Sequence, residues 1–247
     1  PAGADTIFMQ EDARALADGR VALPAGLKRG ANLRPRGEDM ARGDVALEAG
    51  RRLSPQDIGL AAALGVTHLV VRRPLRAAVF STGDEIVSPG AAPGPAQLYD
   101  SNRFVLQALL KRLGCVVSDL GILPDDRAAV RAALTAAARD HDVILTSGGV
   151  SLGEEDHVKA AVEEAGSLAF WRLAIKPGRP VAMGLVGGTP FIGLPGNPVA
   201  VFVTFAIVAR TLIAALAGAR DEALPMLGVR VGFAYRKKAG RREYVRV

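Results

Sequence analysis

The sequence predicts an α/β fold: a mostly parallel, three-layer α/β/α central domain flanked by partial β-rich domains. Three observations predict it. Between Arg76 and Leu216, short apolar runs alternate with helix-length segments, the signature of parallel strands joined by crossover helices. The loops that follow those runs are rich in Gly, Pro and Asp. The flanks carry only short strand-like runs in Gly- and Arg-rich surroundings.

Composition bounds the class. The chain has 247 residues, 49% hydrophobic and 23% charged, which is enough to build a core and excludes a disordered chain. A net charge of +6 and a pI near 9.9 attract anions. Aromatics are only 5%, which argues against stacking of single-stranded bases and favours a small anionic ligand over nucleic acid. One cysteine, Cys115, builds neither a disulfide framework nor a thiolate zinc site. His68, His141 and His157 are scattered rather than spaced as ligands. The longest apolar run, Val199 to Leu216, is broken by Thr204, Arg210 and Thr211, so no membrane span is expected. The expected compartment is the cytoplasm. Both ends, at Pro1 and Val247, read as cut, as in a fragment.

The elements follow in order. Residues 1–20 hold one strand candidate, Thr6 to Met9, and read as the remnant of a β-rich domain. Residues 21–74 read as a mixed α/β segment. In it Ser54 caps a helix with Pro55 at its first position, Gly65 ends that helix, and Val66 to Val71 reads as a strand. Residues 75–218 form the α/β/α domain. Its expected strands are Ala77–Phe80, Cys115–Val117, Val143–Leu145, Ala169–Leu173 and Pro190–Leu194. Its expected helices are Arg103–Leu113 behind the cap Asp100-Ser101-Asn102, one opened by Pro124-Asp125-Asp126 and running to Arg139, Glu155–Glu164, and the long apolar Pro198–Leu216. Residues 219–247 read as the start of a further β domain.

In open α/β sheets, ligands bind outside the carboxyl ends of the strands. Four loops fall at such ends: Thr82-Gly83-Asp84-Glu85, Pro124-Asp125-Asp126, Ser147-Gly148-Gly149, and Gly193 through Pro195-Gly196-Asn197-Pro198. Paired glycines let backbone N–H groups approach a phosphate, and a helix start adds partial positive charge. The acids repel a phosphate unless a divalent cation bridges the two. Asp156 and its fellow acids therefore read as metal ligands. The alternative is that Asp84-Glu85 and Asp125-Asp126 merely complement helix dipoles. The stiff loop Ile175-Lys176-Pro177-Gly178-Arg179-Pro180, with Arg172 nearby, either clamps an oxyanion or is a solvated turn.

Taken together and in order, these motifs are specific. Ser81 to Glu85, Tyr99-Asp100-Ser101-Asn102-Arg103, Pro124-Asp125-Asp126, Ser147-Gly148-Gly149-Val150-Ser151-x-Gly153-x-x-Asp156, Ile175-Lys176-Pro177-Gly178 and Leu194-Pro195-Gly196-Asn197-Pro198 resemble the MoeA family of molybdopterin molybdenumtransferases. Its animal relative is the E domain of gephyrin. Upstream, Arg34-x-Arg36-Gly37-Glu38-Asp39, and downstream, Gly240-Arg241-x-Glu243-Tyr244-x-Arg246-Val247, extend the likeness over nearly the whole chain.

The resemblance implies a Mog-like, molybdopterin-binding central domain. It implies insertion of molybdate into adenylyl-molybdopterin with release of AMP, giving molybdenum cofactor. It implies Mg2+, a homodimer, and a Mog-type adenylyltransferase as a further partner. By motif match, Asp39, Glu85, Asp125 and Asp156 are the functional carboxylates, with Glu85, Asp125 and Asp156 on the metal. Lys176, with Arg172 where relatives often have Lys, neutralises phosphate or molybdate oxygens, and Arg241 helps bind molybdate. Thr82, Gly83, Asp84, Ser147, Gly148, Gly149, Pro177, Pro195, Gly196, Asn197 and Pro198 line the substrate.

The sequence departs from the family pattern in three places. The family's Asp-Gly-Tyr-Ala and Thr-Gly-Ala motifs are absent, and so is most of its final domain. Rival readings are a Mog-type adenylyltransferase, a CinA-like pyrophosphatase, and a peptide-binding scaffold. The flanking motifs argue against the first, the missing loop set against the second, and the retained carboxylates against the third.

Overall fold

The computed structural model describes residues 3–149, 157–220, 224–237 and 239–245. The chain divides into two compact units, residues 1–48 with 53–67, and residues 49–52 with 68–247.

The first unit holds little regular structure. Strands β1 (Arg14–Ala15) and β2 (Val21–Ala22) form an antiparallel pair, and one helix, α1 (Pro55–Ala63), follows. Ser54 and Asp57 cap α1 reciprocally: Ser54 Oγ accepts from Asp57 N–H at 3.4 Å, and Asp57 Oδ2 accepts from Ser54 N–H at 2.8 Å. The strand expected at Thr6–Met9 does not form. Ile7 N–H bonds to Ala31 O instead, and Ile7 and Met9 are half exposed.

The second unit contains β3 (Arg76–Thr82), β4 (Ile86–Val87), β5 (Leu98–Tyr99), α2 (Asn102–Arg112), β6 (Val116–Leu123), α3 (Arg127–Asp140), β7 (Val143–Ser147) and α4 (His157–Ala165). Then come β8 (Gly166–Arg172), β9 (Ile175–Lys176), β10 (Pro180–Val186), β11 (Thr189–Leu194), a helix α5 (Pro198–Leu216) and β12 (Arg242–Glu243). Helix α5 is continuous, with a π-helical turn at Phe205–Ala209. The strand expected at Val66–Val71 is absent. Val70 and Val71 are exposed, and Val66 N–H bonds back to Ala61 O of α1.

Six strands make the central sheet in the order β6-β3-β7-β11-β10-β8. β6, β3, β7 and β11 are parallel, and β10 runs against both β11 and β8. The sequence reading missed β10. Its signal was the Gly187-Gly188 pair, with φ of 55° and 88°, which turns the chain back into β11 as a two-residue hairpin.

Both faces of the sheet are covered, so its inner strands carry consecutive buried apolar residues, Ala77–Phe80 in β3 and Val143–Leu145 in β7, rather than alternating ones. Ala77, Val79, Leu145, Ile192 and Leu194 pack against Leu106 and Leu110 of α2 and Val201, Phe205 and Ile213 of α5. Ala78, Phe80, Ile144 and Phe191 pack on the other side against Val130 and Leu134 of α3 and Val158 and Val162 of α4. Each fully buried side chain of this size contributes about 1.5–3 kcal/mol. By length and composition α5 is apolar enough to cross a membrane. One stripe of it is instead committed to the sheet, at Val201, Phe205, Ala209 and Ile213.

Candidate active site at the carboxyl edge of the sheet

The register of the sheet brings the predicted loops to one edge. Thr82 pairs with Leu123, Ser81 with Ser147, Leu194 with Ser147, Gly193 with Ala182, and Pro180 with Arg172. The loops after β3, β6, β7, β11 and β8 therefore all leave the sheet on the same side. The neighbours β3 and β7 feed helices on opposite faces, α2 on one and α4 on the other. That divergence marks the topological switch point, the place where doubly wound sheets bind ligands.

Glycines let the loops at this switch point pack closely. Gly149 has φ +62°, and a Cβ there would lie 2.6 Å from Val158 Cγ2 and 2.7 Å from Thr82 Oγ1. A Cβ on Gly148 would meet Thr82 O at 3.5 Å, and one on Gly196 would meet Gly148 Cα at 3.8 Å. Gly148 N–H donates to Leu194 O at 3.1 Å. The loops after β3, β7 and β11 thus touch one another through backbone. Gly178 carries the contact onward, because a Cβ there would lie 2.5 Å from Thr204 Cγ2 of α5.

The acids separate by role. Asp126 is the cap of α3, accepting from Ala129 N–H at 2.8 Å. Its neighbour Asp125 is exposed and makes no hydrogen bond or ion pair among the described residues. The bland reading thus holds for Asp126 and leaves Asp125 available. Glu85 curls back over Gly83, where a Cβ would sit 2.3 Å from its Oε2, and is likewise unpaired among the described residues. Asp84 contributes its carbonyl, which accepts from Gln97 Nε2 at 3.0 Å. Asp156 lies outside the described residues. Asp39 belongs to the first unit, where it pairs with Arg34. Among the described residues no three carboxylate, His or Cys side chains gather as a metal site. The described residues alone therefore do not make a magnesium site.

The cations come from a second strand pair. β9 pairs with β12 in parallel, setting Ile175 beside Arg242 and Lys176 beside Glu243, which places Arg241 at the Ala174 end of the pair. Lys176 Nζ lies 3.7 Å from Glu243 Oε1, with the lysine half exposed and the glutamate buried. Tyr235 O–H donates to Glu243, and that bond, with Lys176 and Arg241 nearby, holds the Glu243 carboxyl below its usual range. The Tyr235 hydroxyl is raised for the same reason. Arg172 is exposed at the end of β8. Asn197 Oδ1 caps α5, accepting from Val199 and Ala200 N–H at 3.0 and 3.2 Å.

The sequence marks Asp100-Ser101-Asn102 as a helix cap and as part of a motif carrying the resemblance, and the structure adds long-range contacts. Asp100 Oδ1 does accept from Arg103 N–H. Arg103 is 4% exposed and is gripped by Asp100 and Asp119. Burial opposes its charge, but the hydrogen bonds it donates to both carboxylates outweigh burial and raise its pKa. Asn102 Nδ2 donates to Gly196 O at 2.7 Å. Ser81 Oγ, Thr146 Oγ1 and Asn102 Oδ1 are buried without a hydrogen-bond partner among the described residues. Such groups cost about 1–3 kcal/mol each and gather at functional edges.

The fold is an α/β domain whose glycine-rich, acidic and basic loops leave one edge of a doubly wound sheet. Residues 78–215 match the family described as "Probable molybdopterin binding domain", and residues 1–65 match "MoeA N-terminal region (domain I and II)". The chain belongs to the MoeA family. It is 44% identical to a molybdopterin molybdenumtransferase of Haemophilus influenzae, over 91% of this chain and 56% of that one. It is 36% identical to molybdopterin molybdenumtransferase 2 of Mycobacterium tuberculosis, over 100% of this chain and 62% of that one. The crystal structure of a Pyrococcus horikoshii molybdopterin biosynthesis MoeA protein superposes with a TM-score of 0.69 at 30% identity, covering 88% of this chain and 54% of that one. The chain spans a little over half the length of the curated relatives it matches.

Proposed function

We propose that the protein inserts molybdate into adenylyl-molybdopterin, releasing AMP and giving molybdenum cofactor. The observation that carries this reading is the backbone junction of Thr82, Gly148, Gly149 and Gly196 at the switch point. Three glycines there leave backbone rather than Cβ atoms at the strand ends, which suits the close approach of a phosphorylated pterin. Breaking a phosphoanhydride requires positioning and charge neutralisation more than covalent help from the protein. Thr82, Ser147 and the Gly148-Gly149 and Pro195-Gly196-Asn197 loops position the substrate. Lys176, Arg172 and Arg241 supply positive charge for molybdate and phosphate oxygens. Glu85, Asp125 and Asp156 are the candidate ligands of a divalent cation, magnesium, which when bound would neutralise phosphate charge. Asp39 is the fourth functional carboxylate.

The reading extends to a cytoplasmic homodimer that receives its substrate from a Mog-type adenylyltransferase. The test is AMP release from adenylyl-molybdopterin by the full-length protein, with magnesium or EDTA, and with or without molybdate. Release that needs both molybdate and the cation is the expected result. No release from a folded, substrate-bound protein would overturn the reading.

A further inference from the structure

We propose that Asn102 is a positioning residue that locks the Gly196–Asn197 peptide in the orientation a phosphorylated ligand requires. The proposal rests on the ligand reading of the carboxyl edge given above. Asn102 stands at the first position of α2, and its Nδ2 donates to Gly196 O at 2.7 Å across 94 residues of sequence. In a trans peptide the N–H points opposite to the C=O. Holding the Gly196 carbonyl on Asn102 therefore aims Asn197 N–H away from α2. That N–H has no partner among the described residues, and Gly196 and Asn197 are both exposed. A flipped peptide would turn a carbonyl oxygen outward in its place, and a phosphate would be repelled by it. Glycine tolerates either orientation at Gly196, and Asn102 reinforces the preference of Asn197, whose φ of −71° a flip would drive into the positive range.

The clamp is anchored from behind. Arg103, the next residue, is buried and held by Asp100 and Asp119, and Asp119 is tied in turn to Gln107 Nε2 at 2.8 Å. The first turn of α2 cannot shift without breaking this network. The other half of the Asn102 amide, Oδ1, is buried and accepts no hydrogen bond among the described residues. The side chain is thus held at the cost of an unsatisfied oxygen, which an apolar residue would avoid. Aspartate has the same shape but would set oxygen against oxygen.

The experiment compares Asn102→Asp and Asn102→Ala with the wild-type chain. It reads three quantities: KM and kcat for AMP release, AMP affinity by calorimetry, and hydrogen exchange of the 193–198 amides with those of β3 and β7 as the folding control. The expected result is a rise in KM and in the AMP dissociation constant of about tenfold or more, with kcat within about twofold. Exchange should quicken at 193–198 and stay unchanged in β3 and β7. Unchanged affinity in both variants, or unchanged loop exchange, would overturn the proposal. If the wild-type chain binds AMP but releases none from adenylyl-molybdopterin, the transferase reading fails alone, and AMP affinity with loop exchange still decides the role of Asn102.

Discussion

Replacing Gly149 with alanine tests the close packing of the glycine loops, and Gly148→Ala is its internal control. Both positions have positive φ, +62° and +84°, so both variants pay for placing a Cβ in left-handed backbone, about 1–2 kcal/mol. They differ in what the methyl meets. At Gly148 the nearest atom is 3.5 Å away, an ordinary contact. At Gly149 the methyl would sit 2.6 Å from Val158 Cγ2 and 2.7 Å from Thr82 Oγ1, both of which belong to packed elements. Overpacking of this kind costs about 1–3 kcal/mol. Gly149→Ala should therefore be less stable than Gly148→Ala by about 1–3 kcal/mol. In a domain of this size that separates the two melting temperatures by about 2–12 °C. Differential scanning calorimetry of the two variants side by side measures it. Melting temperatures equal within about 1 °C would refute the argument that Thr82 and Val158 close on this turn.

The paired acids should respond in opposite ways. Asp126→Ala removes the α3 cap and costs about 1 kcal/mol by urea denaturation, with little change in turnover, whereas Asp125→Asn should leave stability unchanged and depress AMP release. Lys176→Ala should raise the molybdate concentration needed for half-maximal AMP release, and an identical molybdate dependence would reassign Lys176 to holding Glu243. Asp142, at the opposite edge of the sheet, is bound by both Nη atoms of Arg73 at 2.7 and 2.6 Å. That pair first, with the Arg76 N–H assisting against a burial cost, lowers its pKa to about 2. Because the folded value lies below the unfolded one, the contribution is present above about pH 4 and is lost as pH falls toward about 2. Arg73 is largely solvent-exposed, so screening reduces the contribution to on the order of 1 kcal/mol. Asp142→Asn should lose that amount near neutrality, and the gap to wild type should close as urea melts are taken from pH 5 downward.

Much of the fold was legible because it is written in local chemistry. The apolar strands Ala77–Phe80 and Val143–Leu145 are buried on both faces, so nothing but a covered sheet could accommodate them. Ser54, Asp126 and Asn197 announce their helices by cap chemistry that needs no distant partner. The glycine and acid loops were recognisable as residue types at strand ends. Their meeting was not, because contact depends on strand order. That order places β3 between β6 and β7 and sets β7 beside β11, and no residue within a single loop encodes it. Tertiary structure alone also divided the acids. Asp125 and Asp126 are chemically identical, and only the geometry of α3 commits one to the cap. The bond from Asn102 to Gly196 joins residues 94 positions apart. The pairing of Lys176 with Glu243 depends likewise on a long-range strand pair, β9 with β12. Sequence determined which groups the protein carries and the local turns that hold them. Packing across the sheet decided which of them face one another, because those contacts are paid for by burial spread over the whole domain rather than by neighbours in the chain.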